Sequence, residues 1–496
     1  MRRRMAPCVT RCVYLSQPMM TSAPTLAPHQ VRDNRISADA AREVYDRLRE
    51  GQRSAELRTL RQRKTALKRL RKAIKAHERD ILEALRLDLR KPEFEAYAAE
   101  VGFCYQDIDH TLSHLREWMQ AERVAVGLAL WPTRAEIRKQ PKGVVLVIAP
   151  WNYPFQLAIA PLVAAIAAGN SVLLKPAEDT PHTSTVLAQV LAEAFAKTSV
   201  AVVQGPGSEV VPVLMEAVRF DHVFYTGSTA VGRKLAAQCG EQLIPCTLEL
   251  GGKSPCVVFD DAALDSTSDR IAWAKCMNVG QTCVAPDYVL VQRGVFDTFS
   301  RKLAEKLNAA YGDDPQSSPD LARIVNAKHF DRLVGLLGDG NVVYGGQHDR
   351  DDLFVAPTLL TDVDAESDLL NEEIFGPLLP LIPFDTWEQA KEVIARNPNP
   401  LSAYVFTQSD KRAERFIEDL TFGGGCVNDA IIHLGIPELP FGGVQQSGIG
   451  SYHARAGFDA FSNTKSVART SGRINPKTRY APYRDVYLKA VRWLFG

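Results

Sequence analysis

From Gly143 to Leu174 the chain carries no charged residue, and no other stretch constrains the fold as much. A membrane span would need about 20 helix-compatible apolar residues in a row. Pro150, Pro154 and Pro161 interrupt this one, and Trp151-Asn152-Tyr153 sits near its start. A buried strand, a loop and a buried helix fit better. Gly143-Val-Val-Leu-Val-Ile148 is a continuous apolar run, as expected of a strand covered on both faces in a parallel sheet. A helix is expected from Phe155 to Ala168, stopped by Gly169-Asn170, and Ser171 to Leu174 reads as the next strand.

The alternation continues. A helix at Thr183 to Phe195 precedes a strand at Val200 to Val203, and a helix at Glu209 to Val218 precedes a strand at His222 to Tyr225. Strands alternating with helices mean an α/β unit with a parallel sheet. A second block, Ser254 to Gly443, repeats the texture with strands at Pro255 to Phe259 and Tyr288 to Val291 and helices at Arg270 to Met277 and Val295 to Ala310. Upstream, Ile36 to Leu89 reads as long charged helices with apolar positions at helical spacing. Ala121 to Lys142 is less regular and is expected to form an arm or hairpin.

Charge and cysteine usage exclude several classes. Lys and Arg total 59 against 58 Asp and Glu, which lacks the basic excess of a nucleic-acid binder. The 9 cysteines are scattered with no C-x-x-C pair, and Cys8 and Cys12 have no His or Cys cluster behind them, so no metal site is expected. A reducing compartment fits such usage. Arg2, Arg3, Arg4 and Arg11 precede the first acid, Asp33, which gives the N-terminus the look of a transit peptide. The expected location is nonetheless cytoplasmic, with organelle targeting the weaker reading.

Several short motifs could carry chemistry, and each also has a plain structural reading. In Tyr225-Thr-Gly-Ser-Thr-Ala-Val-Gly232, the spacing of Gly227 and Gly232 at a strand-to-helix turn suits a phosphate, although Thr229 holds the middle glycine position. An ordinary turn explains it equally. Glu249, between Leu248 and Leu250 and before Gly251-Gly252, is either a general base in an apolar setting or an exposed strand-end carboxylate. Cys283, in Gly280-Gln-Thr-Cys283, is either a nucleophile or a small buried residue. Asn152 lies beyond the end of a buried strand, where α/β sheets place ligands; it is either an oxyanion donor or a turn former. Lys175 and Glu178 sit at another strand end and could meet a ribose or only solvent. The segment Asn371-Glu-Glu-Ile-Phe-Gly-Pro377 reads by itself as a loop.

Together, Asn152, Lys175, Gly227, Glu249, Cys283, Glu373 and Phe375 occur in the order and spacing of one family. The chain resembles the NAD(P)-dependent aldehyde dehydrogenases over roughly Ala38 to Val467. Within them it resembles the class 3 branch, through Gly280 to Tyr288, Asn428 to His433, Leu439 to Gly443 and Phe458 to Phe461. Gln445-Gln446 departs from that branch, as does the basic N-terminal extension. The resemblance implies a Rossmann-like cofactor domain (36–122 and 142–251), a second α/β catalytic domain (252–443) and a bridging, oligomerising arm (123–141 and 444–470). They would be flanked by a disordered extension (1–35) and a tail (471–496).

The same resemblance implies that Cys283 attacks an aldehyde, Asn152 holds the oxyanion and Glu249 activates the hydrolytic water. Lys175 and Glu178 would meet the adenosine ribose, and Ser228 the pyrophosphate with Gly227 and Gly232. Glu373 would hold the nicotinamide ribose, with Phe375 and Trp151 beside the cofactor. NAD is expected to serve best, with some use of NADP. The substrate would be a medium- or long-chain aliphatic or an aromatic aldehyde, and the protein a homodimer with no transmembrane segment. Two rivals are an acylating enzyme that passes the thioester to coenzyme A, against which Glu249 argues, and a non-catalytic relative, against which the intact Cys283, Glu249 and Asn152 argue. In the tail, Tyr487, Val491, Leu494 and Phe495 share a helical face, and that helix is expected to dock on the protein's own surface, the weaker reading being an amphipathic foot resting on an anionic membrane.

Overall fold

The computed structural model describes residues 36–495. The predicted first strand, Val144–Ile148, is wholly buried because both of its faces are covered. Val145 and Val147 join the apolar cluster that contains helix Gln156–Ala168, while Val144, Leu146 and Ile148 pack on the opposite face with Ala41 and Leu48 of helix Ala38–Arg53. A strand between two layers of helices cannot alternate polar and apolar residues, which is why it reads as an unbroken run. Helix Gln156–Ala168 is buried at every position and ends at Gly169, whose φ of +93° is the left-handed stop expected of Gly-Asn.

The first sheet runs, edge to edge, Gly448–Ile449, Cys246–Glu249, His222–Thr226, Val144–Ile148, Ser171–Lys175 and Val200–Val202. All pairings are parallel except that of Gly448–Ile449 with Cys246–Glu249. Chain order therefore reverses at Val144–Ile148, whose neighbours are the second and the fourth strands of the series. In such open sheets the ligand crevice lies at that reversal, beyond the carboxyl ends of the strands. Asn152 follows one of the two strands that flank it and Gly227 follows the other.

The second sheet runs Asn341–Tyr344, Thr358–Thr361, Leu378–Phe384, Tyr288–Gln292, Pro255–Val258, Ser402–Phe406 and Gly424–Val427, parallel except at its first strand. Segment Ala121 to Lys142 supplies strands Glu122–Val124 and Arg134–Pro141 of a separate antiparallel sheet. Its third strand, Ser462–Arg469, pairs along the whole of Arg134–Pro141. The segment 444–470, expected wholly in the arm, divides. Gly448–Ile449 extends the first sheet and helix Ala454–Ala460 packs on helix Gln156–Ala168, so only Ser462–Arg469 belongs to the arm sheet. The expected disorder of 1–35 lies outside the described residues.

Candidate active site

Cys283 sits on a loop that the sequence forces into an unusual path. Asn278 and Val279 adopt φ of +50° and Gly280 +75°. A Cβ on Gly280 would lie 2.2 Å from the Gly376 carbonyl oxygen, so the close approach needs glycine. Polar side chains then pin the loop from several directions. The Gln281 amide donates to the Arg323 carbonyl (3.0 Å) and accepts from the Val325 N–H (3.0 Å). Asn278 Nδ2 donates to the carbonyl of Asn152 at 2.8 Å, and Asn152 Nδ2 donates to that of Gln281 at 3.1 Å. The Tyr153 and Thr282 hydroxyls meet at 2.7 Å, and Tyr404 Oη donates to the Val284 carbonyl at 2.6 Å.

The Asn152 loop is fixed in turn by a buried ion pair that the sequence did not reveal. Lys91 Nζ lies 2.5 Å from Glu100 and donates to the Asn152 carbonyl at 3.0 Å. Glu100 also accepts from the N–H groups of Phe155 and Gln156, the first turn of the buried helix. A charge pair this deep needs its remaining polar groups met; the Asn152 carbonyl and the two N–H groups do so, and the Tyr153 ring lies 4.2 Å from the ammonium.

Glu249 ends its strand inside the same cavity as Cys283, a space of about 400 Å³. It is 1 % exposed and, among the described residues, neither carboxylate oxygen has a hydrogen-bond partner. Burial holds its carboxyl well above the usual range. The Cys283 thiol is likewise pushed up, by burial first and then by the Glu373 and Glu249 carboxylates, while the N–H groups of Cys283 and Val284 work the other way. The remaining wall is apolar for the most part, with Phe103, Leu157, Trp273, Met277, Ile431 and Phe441 among it. His453 also lines it; burial takes this imidazole down to about 3, so it stays neutral. His433 is held between Ser402 Oγ (3.3 Å) and Cys426 Sγ (3.5 Å) as a structural residue.

The residues expected at a dinucleotide gather along the crevice. Trp151 meets the Phe375 ring edge-on at 5.2 Å and the tilted His329 ring at 4.9 Å. Glu373 lies against Gly251, where a Cβ would fall 2.0 Å from its carboxylate, so the Gly-Gly pair clears the space it occupies. Its carboxyl is raised to about 8, by burial first and then by Asp287. Asp287 pairs with buried Lys253 at 2.7 Å and accepts from the Ile374 N–H at 3.1 Å, fixing the Glu373 loop from beneath.

Lys175 pairs with Glu178, and Glu178 accepts from the N–H of Gly207 at 2.7 Å, a residue the motif reading missed. Ser228 caps helix Thr229–Glu241, and the first-turn N–H groups of Thr229 and Ala230 have no acceptor within the helix. A Cβ on Gly232 would lie 2.5 Å from Leu250, so that glycine serves close helix–strand packing. Glu178, Glu373, the helix N–H groups after Ser228 and the rings of Trp151 and Phe375 could together hold a dinucleotide, with carboxylates to accept from hydroxyls and N–H groups to meet a pyrophosphate.

Comparison with known proteins agrees. Residues 19–467 match the model of the aldehyde dehydrogenase family. A 4,4'-diaponeurosporen-aldehyde dehydrogenase of Staphylococcus aureus is 44 % identical over 86 % of this chain and 94 % of its own length. Aldehyde dehydrogenase family 3 member B1 of Rattus norvegicus is 41 % identical over 91 % of this chain and 97 % of its own. The solved substrate-bound state of Staphylococcus aureus AldH superposes with a TM-score of 0.89 at 41 % identity, covering 92 % of this chain and 99 % of that one. The chain belongs to the aldehyde dehydrogenase family, with class 3 enzymes among its relatives. It is an NAD(P)-dependent oxidoreductase that converts aldehydes to carboxylic acids.

Proposed function

We propose that Cys283 is the nucleophile, Glu249 the base for hydrolysis and Asn152 the oxyanion donor, acting on medium- and long-chain aliphatic or aromatic aldehydes. The observation that carries this reading is the shared cavity: a thiol and an unpartnered carboxyl face one another's space, and nearly all else around them is apolar. Cys283 gives its thiol proton to water, Sγ bonds to the aldehyde carbon, and the C=O π pair moves to the oxygen, which becomes an oxyanion. The Asn152 amide keeps one N–H beyond its bond to Gln281, and the Cys283 N–H is the second donor. NAD or NADP, when bound, accepts the hydride that the tetrahedral carbon gives up. Glu249, once ionised, takes a proton from water as that water adds to the thioester; the C–S bond then breaks and returns the thiolate.

On the cofactor side, Trp151, Lys175, Glu178, Gly227, Ser228, Gly232, Glu373 and Phe375 form the binding set. A carboxylate at Glu178 accepts from ribose hydroxyls and repels a 2′-phosphate, which favours NAD. The apolar wall favours uncharged substrates. Along a homologous series of straight-chain aldehydes, kcat/KM should rise by up to about fourfold per buried methylene until the cavity is filled. A flat or falling series would overturn the substrate reading. Acid release independent of coenzyme A would separate hydrolysis from acyl transfer.

The homodimer is supported by two open sheet edges, Ser462–Arg469 of the arm and Gly424–Val427 of the second sheet, each able to accept a strand from a second copy. Light scattering of the full chain should give twice the chain mass. The proposed location, a reducing cytoplasm, rests on the scattered cysteines, and the seven described ones are free thiols. Among the described residues no helix is long and apolar enough to cross a membrane.

A further inference from the structure

Two features take no part in the proposed reaction. The tail helix Asp485–Phe495, expected to dock, lies against the turn Leu128–Leu130 and leaves Trp493 and Phe495 exposed. The other is a cluster of side chains at the amino ends of the first sheet's strands, opposite the crevice. Lys142 stands just ahead of strand Val144–Ile148, His222 opens strand His222–Thr226 and Cys246 opens strand Cys246–Glu249. Lys142 Nζ meets His222 Nδ1 at 3.0 Å. Cys239, near the end of helix Thr229–Glu241, packs in the same apolar cluster as Cys246, and its thiol donates a hydrogen bond to the Cys246 sulfur. The turn between them is braced. The Ile244 N–H donates to the Cys239 carbonyl at 2.8 Å, Leu243 takes a φ of +52°, and Arg219 donates to the Gln242 and Leu243 carbonyls, both at 3.3 Å.

The two thiols differ in access and in acidity. Cys246 is half-buried and follows the exposed Pro245, whereas Cys239 is 1 % exposed, so a small solute reaches Cys246 first. Among the seven described cysteines, Cys246 alone has its thiol drawn down; the others, Cys283 included, are pushed up. The hydrogen bond from Cys239 is the first cause at Cys246; burial opposes it, and the Lys142 ammonium adds to it. The thiolate is the nucleophilic form of cysteine, and a neighbouring cation favours it. An accessible thiolate with a second thiol in contact is the arrangement of a reversible redox pair.

We propose that Cys246 and Cys239 form a modification site for hydroperoxides, Cys246 attacking and Cys239 resolving, and that their disulfide weakens cofactor binding. The Cys246 thiolate attacks one peroxide oxygen. The O–O bond breaks, the other oxygen leaves as hydroxide and takes up the proton that Cys246 gave up, and Cys246 becomes a sulfenic acid. The Cys239 sulfur then attacks the Cys246 sulfur, the S–O bond breaks, and the departing hydroxide takes the Cys239 proton. The pair has lost two electrons and two protons, and hydrogen peroxide has become two waters. A dithiol reductant reverses the change, as a reducing compartment requires. The effect on the cofactor rests on the reading of Ser228, Thr229 and Ala230 as its pyrophosphate contacts. Those residues open the helix that carries Cys239 near its other end. A disulfide holds its sulfurs at about 2 Å, closer than any hydrogen-bonded contact, so it draws that end of the helix toward the strand. Gly232 already abuts Leu250 with no room for a Cβ, so the helix tilts about that contact and its first N–H groups move.

The test treats the full, reduced chain with hydrogen peroxide, alkylates it and digests it with trypsin. Residues 235–253 form one tryptic peptide that holds both cysteines. After peroxide this peptide should escape alkylation and lack two hydrogens, and cutting it after Glu241 should leave its two cysteine fragments joined. KM for NAD should rise by about fivefold, and dithiothreitol should restore both the peptide and KM. Cys239→Ser should stop the reaction at the Cys246 sulfenic acid, captured by dimedone, and Cys246→Ser should leave Cys239 reduced. Neither variant should show the rise in KM, and both should match the parent's turnover before peroxide. Lys142→Gln should slow closure of the pair by about threefold. The proposal is overturned if both cysteines of 235–253 still alkylate once peroxide has oxidised Cys283, or if the peptide closes while KM for NAD holds. The peptide map does not depend on which residue attacks the aldehyde, so failure of this site and failure of the active-site reading are separable.

Discussion

The loop that carries Cys283 and the strand end that carries Glu249 open into one cavity and are held in opposite ways. Around Cys283 the backbone is over-determined: three residues at positive φ, a glycine at a carbonyl, and hydrogen bonds from Asn152, Gln281, Thr282 and Asn278. Around Glu249 only the strand is fixed; its carboxyl has no described partner. A nucleophile that must meet a carbonyl carbon at bonding distance gains from rigidity. A base that lies in an apolar wall and takes a proton from water needs room to turn and to hydrate. The lack of partners at Glu249 is thus the counterpart of their abundance at Cys283.

The largest expected effect comes from deleting the rigid partner's chemistry. Cys283→Ala should lower acid formation by about 10⁴-fold or more and leave cofactor binding and the melting curve intact. Cys276, buried with its thiol pushed up to about 12, should not substitute. Measurable turnover by Cys283→Ala would end the assignment.

Glu249→Gln is expected to keep a rapid NADH burst while steady-state turnover falls by about 10³-fold. In the parent enzyme the hydrolytic step should accelerate as pH rises, because the raised carboxyl must lose its proton to act as a base; in Glu249→Gln that pH dependence should vanish. Equal loss of burst and steady state would place Glu249 earlier in the reaction and dissolve the contrast.

Gly280→Ala probes rigidity alone. With the new methyl facing the Gly376 carbonyl, kcat should fall by about 10²-fold while KM for the cofactor holds. An unchanged kcat would show that the loop tolerates displacement. The smallest effect lies farthest from the cavity: Glu178→Gln should shift the ratio of kcat/KM for NADP over NAD upward by about tenfold. A constant ratio would place Glu178 away from the ribose.

Much of this was legible in the sequence, for identifiable reasons. Parallel strands buried on both faces leave unbroken apolar runs, so Val144–Ile148 and its neighbours were found within a residue or two. The arm was only sketched, because Arg134–Pro141 mixes exposed and half-buried residues and its pairing strand lies at Ser462–Arg469. Cys283, Glu249 and Asn152 stood out through their place in a familiar order of motifs, not through their immediate neighbours. What anchors them did not: Lys91, Glu100 and Gln281 look like ordinary polar residues until the fold brings them to partners far along the chain. For the tail, spacing shows which residues share a helical face and is silent on what covers that face.

The strand that ends in Glu249 borrows its outer neighbour from Gly448–Ile449, and the Leu250 N–H donates to the Ser447 carbonyl at 3.0 Å. During synthesis that edge stays open until the ribosome has delivered nearly the whole chain. A nascent enzyme therefore carries its thiol long before the wall opposite it is finished, and an aldehyde trapped early would meet no completed machinery for release. Closure by a late segment ties completion of the Glu249 strand edge to a late stage of translation, and a chain broken off before Ser447 would keep every residue of the proposed catalytic set yet leave that edge unpaired.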